Sequence, residues 1–282
     1  MQALQQELWA LEGPRTHTHV GDLAWWATMH LGREREWKRR VWLDGDRCVA
    51  WAWLDRPATL DYEVHCDHRG GGVHEEVLDW FESEAEGDGP LSAYVMDGDE
   101  ASRELLARRG FAEPAEAKSY AYHVHDQVTQ CHLVEAPPGF TLRTVRGDED
   151  LHERVEVHRA AWAPSRVTEE SYRNVMRIWP YRADLDCVLE APGGTFAAYV
   201  LCWYDGENRV GEFEPVGTHP DHRRRGFGAL VCRFALQRLR EVGAESAVVY
   251  ANARENGRGA RTLYESVGFR RHTRLVEVRR ER

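Results

Sequence analysis

Residues 64–74, Val64-His65-Cys66-Asp67-His68-Arg69-Gly70-Gly71-Gly72-Val73-His74, lie without gaps over Thr218-His219-Pro220-Asp221-His222-Arg223-Arg224-Arg225-Gly226-Phe227-Gly228, with five of the eleven positions identical. Each stretch follows an extended run, Thr59–Val64 or Val210–Thr218, and each precedes a helical pattern, Glu75–Glu84 or Ala229–Val242. A second pair of anchors follows: Leu106-Ala107-Arg108-Arg109-Gly110-Phe111 answers Tyr264-Glu265-Ser266-Val267-Gly268-Phe269. Arg69 to Gly110 is 41 residues and Arg223 to Gly268 is 45, so two ordered matches recur at nearly one spacing. The chain therefore reads as two copies of one α/β unit built on a mixed sheet. Glu135-Ala136-Pro137-Pro138-Gly139 supplies linker chemistry between them.

The second copy carries the cleaner periodicity. It predicts a strand at 140–145, helices at 149–162 and 168–178, a meander of strands at 185–190, 195–203 and 210–218, a helix at 226–242, a strand at 247–251, a helix at 259–267 and a last strand near 275–278. Thr168 is placed as a helix cap. The first copy shows the same order with weaker starts: a helix at 22–31 and strands at 38–43 and 47–54.

Composition narrows the function. The chain has 282 residues, 42% of them hydrophobic, and a net charge of −10, which argues against nucleic-acid or acidic-membrane binding. The charge is uneven: residues 1–140 sum to −13 and residues 141–282 to +3, so an anionic ligand should prefer the second half. Six scattered cysteines with no CxxC pair, a start without a signal-peptide pattern and no membrane-length apolar run fit a cytoplasmic protein. The cluster His65-Cys66-Asp67-His68 with His74 has no closed four-ligand spacing and is read as turn chemistry, so no metal is expected. Eight of the eleven tryptophans fall within residues 1–80 and are expected in core or interface.

Arg223-Arg224-Arg225-Gly226-Phe227-Gly228 puts two glycines at the mouth of a helix, where free amides and the positive dipole end can receive a pyrophosphate. The spacing fits neither the dinucleotide nor the P-loop fingerprint. It resembles the GNAT acetyltransferase superfamily, whose acetyl-CoA motif Gln/Arg-x-x-Gly-x-Gly/Ala is met by Arg223, Gly226 and Gly228; a later Tyr-x-x-x-Gly-Phe element is met by Tyr264, Gly268 and Phe269. The tandem layout is similar to mycothiol synthase, without its substrate being implied.

The resemblance implies two GNAT-like domains, a degenerate one at 1–128 and a catalytic one at 140–282, joined by a linker at 129–139. It implies acetyl-CoA as co-substrate, bound by Val216, Gly217, Thr218, Arg223, Arg224, Arg225, Gly226, Phe227 and Gly228. Glu214 would be the general base, with Glu212 its rival, and Glu214 is expected on the strand face of Val216 and Thr218. Tyr264 would protonate the departing thiol. Asn252 and Asn256 would contact acceptor or pantetheine, although Asn256 stands eight residues before Tyr264 where seven is usual. Pro215 implies a local distortion of the strand, and Trp162-Ala163-Pro164-Ser165 should wall the acceptor site.

In the first copy Leu60, Leu106 and His74 fall at the places of Glu214, Tyr264 and Gly228, so that copy should neither catalyse nor bind CoA. The expected activity is transfer of acetyl to a primary amine of a small molecule or peptide. Use of another acyl donor, a non-enzymatic CoA sensor, weak DNA binding through the arginines and a homodimer remain open at this stage.

Overall fold

The computed structural model describes residues 1–29, 31–131, 133–253 and 258–282. The first half runs α1 (Gln2–Glu12), α2 (Val20–Thr28), β1 (Trp37–Asp44), β2 (Arg47–Asp55), β3 (Thr59–Val64), α3 (Gly72–Glu84), β4 (Leu91–Met96), α4 (Glu100–Arg108) and β5 (Ser119–His125). The second runs β6 (Thr141–Thr144), α5 (Leu151–Ala161), α6 (Glu169–Val175), β7 (Asp186–Glu190), β8 (Phe196–Asp205), β9 (Val210–Thr218), α7 (Phe227–Glu241), β10 (Ser246–Asn252), α8 (Arg258–Ser266) and β11 (Arg270–Arg280).

Alternation along the strands decides which helix covers which face. In β8, Ala198, Val200 and Cys202 join the core under α7, while Tyr199, Leu201 and Trp203 pack towards α5 and α6. In β2, Ala50, Ala52 and Leu54 face α3, while Trp51 and Trp53 meet Leu4 and Leu8 of α1. The leucines at 4, 8 and 11 carry the helical period that marks α1, an element absent from the expected order of the first copy. Helix α2 crosses to the second half. A Cβ on Gly21 would lie 2.2 Å from the Trp203 ring, so only glycine allows that approach.

All eleven strands form one mixed sheet in the order β1-β2-β3-β4-β11-β5-β10-β9-β8-β7-β6. The last strand of each half is exchanged: β11 pairs antiparallel with β4 and β5, and β5 pairs antiparallel with β10. The 129–139 segment therefore divides the sequence without dividing the sheet. At the seam Phe269 packs edge-on against His125, and a Cβ on Gly268 would meet that imidazole at 2.7 Å. Among the described residues no helix is long and apolar enough to cross a membrane.

Candidate active site

Strand β9 is the floor of the site, and a bulge shapes it. Val200 lies opposite Val216 but Cys202 lies opposite Phe213, so β9 carries one extra residue at Glu214-Pro215. The Trp203 indole donates to the Glu214 carbonyl at 2.6 Å and holds the bulge in place. The distortion expected at Pro215 is thus present, with a consequence for side-chain direction. Phe213, Val216 and Thr218 face α7, whereas Glu214 faces α2, so the expected common face of Glu214, Val216 and Thr218 is corrected. Gly217 also faces the α5 side, where a Cβ would sit 2.4 Å from the Tyr199 ring.

Beyond the bulge the sheet opens. Strand β9 pairs with β10 only from Val210 to Glu212, although both strands continue. His219 N–H bonds the Ala197 carbonyl, and the antiparallel alternation then turns the amide groups of Val216 and Thr218 away from β8, into the gap. Two side chains reach that edge: the Trp162 indole donates to the Val216 carbonyl at 3.2 Å, and Arg223 Nε donates to the Thr218 carbonyl at 3.3 Å. Asn252 ends β10 across the gap, paired with Tyr120 of β5. Asn256 lies outside the described residues.

The turn into α7 presents a run of donors. Gly226, at φ 80°, is the helix N-cap, and the first helical bond is Leu230 N–H to the Gly226 carbonyl. Among the described residues the N–H groups of Arg224 to Ala229 bond no other group. Nothing lies within 4 Å of a Cβ built on Gly226, and one on Gly228 would press on Thr218 Oγ1 at 3.2 Å. This open row of amides at a helix N-terminus fits a pyrophosphate.

The three arginines differ in role. Arg223 braces the turn, its Nη2 donating to the Ala161 carbonyl at 3.1 Å. The Arg225 guanidinium stacks on Phe227, 4.5 Å from the ring centre, and meets His222. Arg224 is exposed and, alone of the three, makes no hydrogen bond or ion pair among the described residues. The Phe227 side chain is core, so its contribution to an anion is its amide.

Glu214 is half-buried and, among the described residues, makes no side-chain hydrogen bond or ion pair. It lines a cavity of about 370 Å³ with His17, Thr18, Asp22, Asp61 and Tyr250. Burial, and next the nearby Asp22 carboxyl, push its pKa up to about 8. Glu212 is otherwise placed: 1% exposed, it meets Asp22 and the His19 ring, and burial keeps both of these carboxyls well above the usual carboxylate range. Tyr264, on α8, is buried beside Phe269, and burial raises its hydroxyl well above the ordinary tyrosine value, with Cys232, Glu214 and Tyr199 adding to it.

Helix α2 and strands of the first half, rather than residues 162–165, wall this cavity. Asp22, Thr18 and Asp61 are residues that sequence reasoning missed. Pro215 held the signal for Asp61: once it is treated as a bulge, the partner of Glu214 in β3 moves on by one residue.

The first half is built alike and closed. Strand β3 has regular pairing with β2 and no bulge, so Leu60 matches Phe213 in the core and Asp61 takes the side of Glu214; the expected Leu60–Glu214 equivalence is corrected. Arg69 and Arg223 correspond, each bonding a carbonyl at the end of the preceding strand. Between this arginine and the helix N-cap stands one residue, Gly70, in the first half and two, Arg224 and Arg225, in the second. His74 therefore matches Ala229, and Val73 matches Gly228. Even so, the His74 ring fills the turn: its Nδ1 accepts from Gly70 N–H at 3.2 Å and its Nε2 meets the Tyr62 hydroxyl at 3.1 Å. Leu106 is core, and the Gly-Phe pairs end both helices alike, Phe111 N–H bonding the Leu106 carbonyl and Phe269 N–H that of Tyr264.

His65, Cys66 and Asp67 lie close enough to suggest a metal site, yet His65 Nδ1 accepts the Asp67 amide and its Nε2 meets Arg47. His219 caps its own turn in the same way, accepting from Asp221 N–H.

Residues 152–269 match the family model described as Acetyltransferase (GNAT) family. That segment matches the GNAT acetyltransferases, a family that uses acetyl-CoA as co-substrate. A mycothiol acetyltransferase of Streptomyces coelicolor is 27% identical over 250 residues, 82% of this chain and 75% of the relative. Another from Corynebacterium aurimucosum is 25% identical over 271 residues, 90% and 87% of the two chains. A GCN5-related N-acetyltransferase from Sphaerobacter thermophilus superposes with a TM-score of 0.68 at 18% identity, covering 99% of this chain and 91% of its own. A tandem GNAT protein from the clavulanic acid biosynthesis pathway gives 0.68 at 15% identity, covering 99% and 94%. The two structures establish the tandem fold.

Proposed function

We propose that residues 140–282 catalyse transfer of acetyl from acetyl-CoA to a primary amine by direct attack, and that residues 1–128 shape the site without catalysing. The observation that carries this reading is Glu214, an unpartnered carboxyl at a bulge, beside a strand gap and a row of free amides. Acetyl-CoA supplies the activated acyl group.

The amides of Arg224 to Gly228, with the Arg224 guanidinium, hold the pyrophosphate. The backbone of Val216, Gly217 and Thr218 receives the pantetheine arm, with Asn252 across the gap. A donor from that strand edge would stabilise negative charge on the reacting carbonyl oxygen.

An amine arrives at neutral pH as ammonium and must lose a proton before it attacks. Glu214 takes that proton, directly or through water; with a pKa near 8 its carboxylate form grows as the pH rises through that value. Tyr264, kept protonated by burial, gives a proton to the departing sulfur. A reducing cytoplasm suits the free cysteines.

The test is release of free CoA thiol across a panel of amines, with acetyl-CoA raising the melting temperature. Thermal stabilisation and amine-dependent thiol release are expected. If acetyl-CoA gives no stabilisation and no amine releases thiol, the proposal fails.

A further inference from the structure

The cavity below Glu214 continues into the half that does not catalyse, and its chemistry there is specific. Asp61 projects into it from β3, at the strand position corresponding to the Glu214 bulge. Glu63, a buried acid nearby, is satisfied: it accepts from Thr16 at 3.1 Å and pairs with His17 at 2.9 Å. Glu212 lies 3.2 Å from His19 but keeps that oxygen without a hydrogen bond. Among the described residues the side chains of Asp61 and its neighbour Asp55 make no hydrogen bond or ion pair.

A separate observation points to a ligand at the same place. Thr18, 2% exposed, lines this cavity, and its hydroxyl has no hydrogen-bond partner. A buried hydroxyl left alone keeps the penalty of its lost hydration, which a bound donor would offset.

The walls suit an organic cation. Tyr94, Tyr120, Tyr250 and Trp26 surround the carboxylates, and a second cavity of about 240 Å³ shares Trp26, Asp55 and Asp61 and is bounded by Trp37 and Trp53. Carboxylate and aromatic faces together favour ammonium and guanidinium groups. His17 and Lys118 on these walls act on Asp61 from a distance, but among the described residues neither forms an ion pair with it: His17 pairs with Glu63, Lys118 makes none, and Arg33 and Arg166 of the second cavity both pair with Glu36. Burial leaves Asp61 pushed up to about 6 and Asp55 raised, so both carboxylates would gain from a bound cation.

We infer that the acceptor is a dication: its reacting amine lies at Glu214, and a second ammonium or guanidinium lies against Asp61, Asp55 and the Thr18 hydroxyl. This rests on the acetyltransferase reading above and adds the substrate class. Asp61 binds and orients; it takes no part in proton transfer.

Steady-state kinetics with the full chain would compare 1,4-diaminobutane, 1,5-diaminopentane and agmatine with butylamine and 4-amino-1-butanol. The dications should exceed the monoamines at least tenfold in kcat/KM, and Asp61→Asn should collapse that ratio towards one, mainly through KM. Thr18→Val should lower it by a smaller factor and serves as a second variant should Asp61→Asn fold poorly. Wild-type preference for butylamine, or a ratio that survives both substitutions, overturns the inference.

Calorimetric binding of 1,4-diaminobutane without acetyl-CoA separates the two readings. Asp61-dependent binding in a chain that transfers no acetyl ends the acetyltransferase proposal and keeps the dication site. Acetyl transfer without a preference for dications does the reverse.

Discussion

The two halves carry the same strand, turn and helix at 64–74 and 218–228, yet they differ by one residue in two places. Strand β9 holds an extra residue at Glu214-Pro215 that β3 lacks, and the turn into α7 holds two residues between arginine and N-cap where the turn into α3 holds one. The first difference turns a carboxyl into the cavity and shifts the strand face. The second opens a row of amides that the other half shortens and stops with an imidazole. On the proposed reading, one copy of the fold has lost the site while keeping the architecture, and the backbone insertions matter as much as the side chains.

The largest effect expected from breaking this contrast is on Glu214. Glu214→Gln should lower kcat by about 10²–10⁴-fold, the usual contribution of a general base, and leave acetyl-CoA binding in place. In wild type kcat/KM should climb with pH through about 8, and the variant should lose that limb. Stability should move the other way. A carboxyl whose folded pKa is raised favours the native state at low pH and loses that contribution as pH rises through about 8, so Glu214→Gln should melt above wild type at pH 9 and by a smaller margin at pH 5. Unchanged turnover would remove Glu214 from the chemistry.

Next is the cradle. Wild type at a hundredfold excess of acetyl-CoA over Kd should gain about 2.7 kcal/mol of stability. Gly228→Val copies the first half, where Val73 holds the same helix position, and places methyl groups near Thr218 Oγ1 and the amide row. The variant should fold and lose most of the acetyl-CoA shift. Titration of the intact chain should show one acetyl-CoA per molecule; two would restore the first half as a working site. The full chain is the right object, because β11 fills the place between β4 and β5 that a fragment of the first half would leave empty.

A smaller change is expected at α8, where Tyr264 stands and Leu106 is its counterpart. Tyr264→Phe should reduce kcat by roughly tenfold, less than the usual 10²–10⁴-fold of acid–base catalysis because a thiolate leaves with little need of a proton, with the KM for acetyl-CoA near wild type. Full activity would make Tyr264 a core residue like Leu106.

Much of this contrast was legible in the sequence because it is local. The limits of β9 at Val210 and Thr218 coincide with the sequence reading, and the paired Arg and Gly-Phe anchors mark corresponding turns and helix ends. The exchange of β5 and β11 was not legible, since strand order depends on pairings between residues more than a hundred positions apart, and hydrophobic alternation in Ser119–His125 is the same whichever neighbour it meets. The gapless alignment of 64–74 on 218–228 was misleading for a related reason. It scored Gly72 against Gly226 as an identity, whereas the N-caps are Gly71 and Gly226, so Leu60 and His74 were matched one residue away from their partners. The acid wall was missed because Asp22, Asp55 and Asp61 lie outside the repeated anchors, in the half without the acetyl-CoA motif.

The smallest effect on turnover is expected at His74. His74→Ala removes the acceptor of Gly70 N–H and the partner of the Tyr62 hydroxyl inside a fully buried pocket, and should cost about 1–3 kcal/mol of stability. Turnover should be unaffected, since the ring lies in the other half from Glu214. It should create no second acetyl-CoA site either, because emptying the ring's space does not restore the missing turn residue. The pH dependence identifies the imidazole as the agent. Burial lowers the His74 pKa to about 4, below the ordinary histidine value, so the native state binds fewer protons than the unfolded chain between that pKa and about 6.5. The contribution is complete above 6.5 and is lost as pH falls through about 4. Denaturant melts at pH 7.5, 5.5 and 4.5 should therefore show the gap between wild type and His74→Ala narrowing as the solution becomes acidic. A gap that stays constant with pH would mean that the ring acts by filling space alone, and the amide it covers would then be closed by packing rather than by the hydrogen bond.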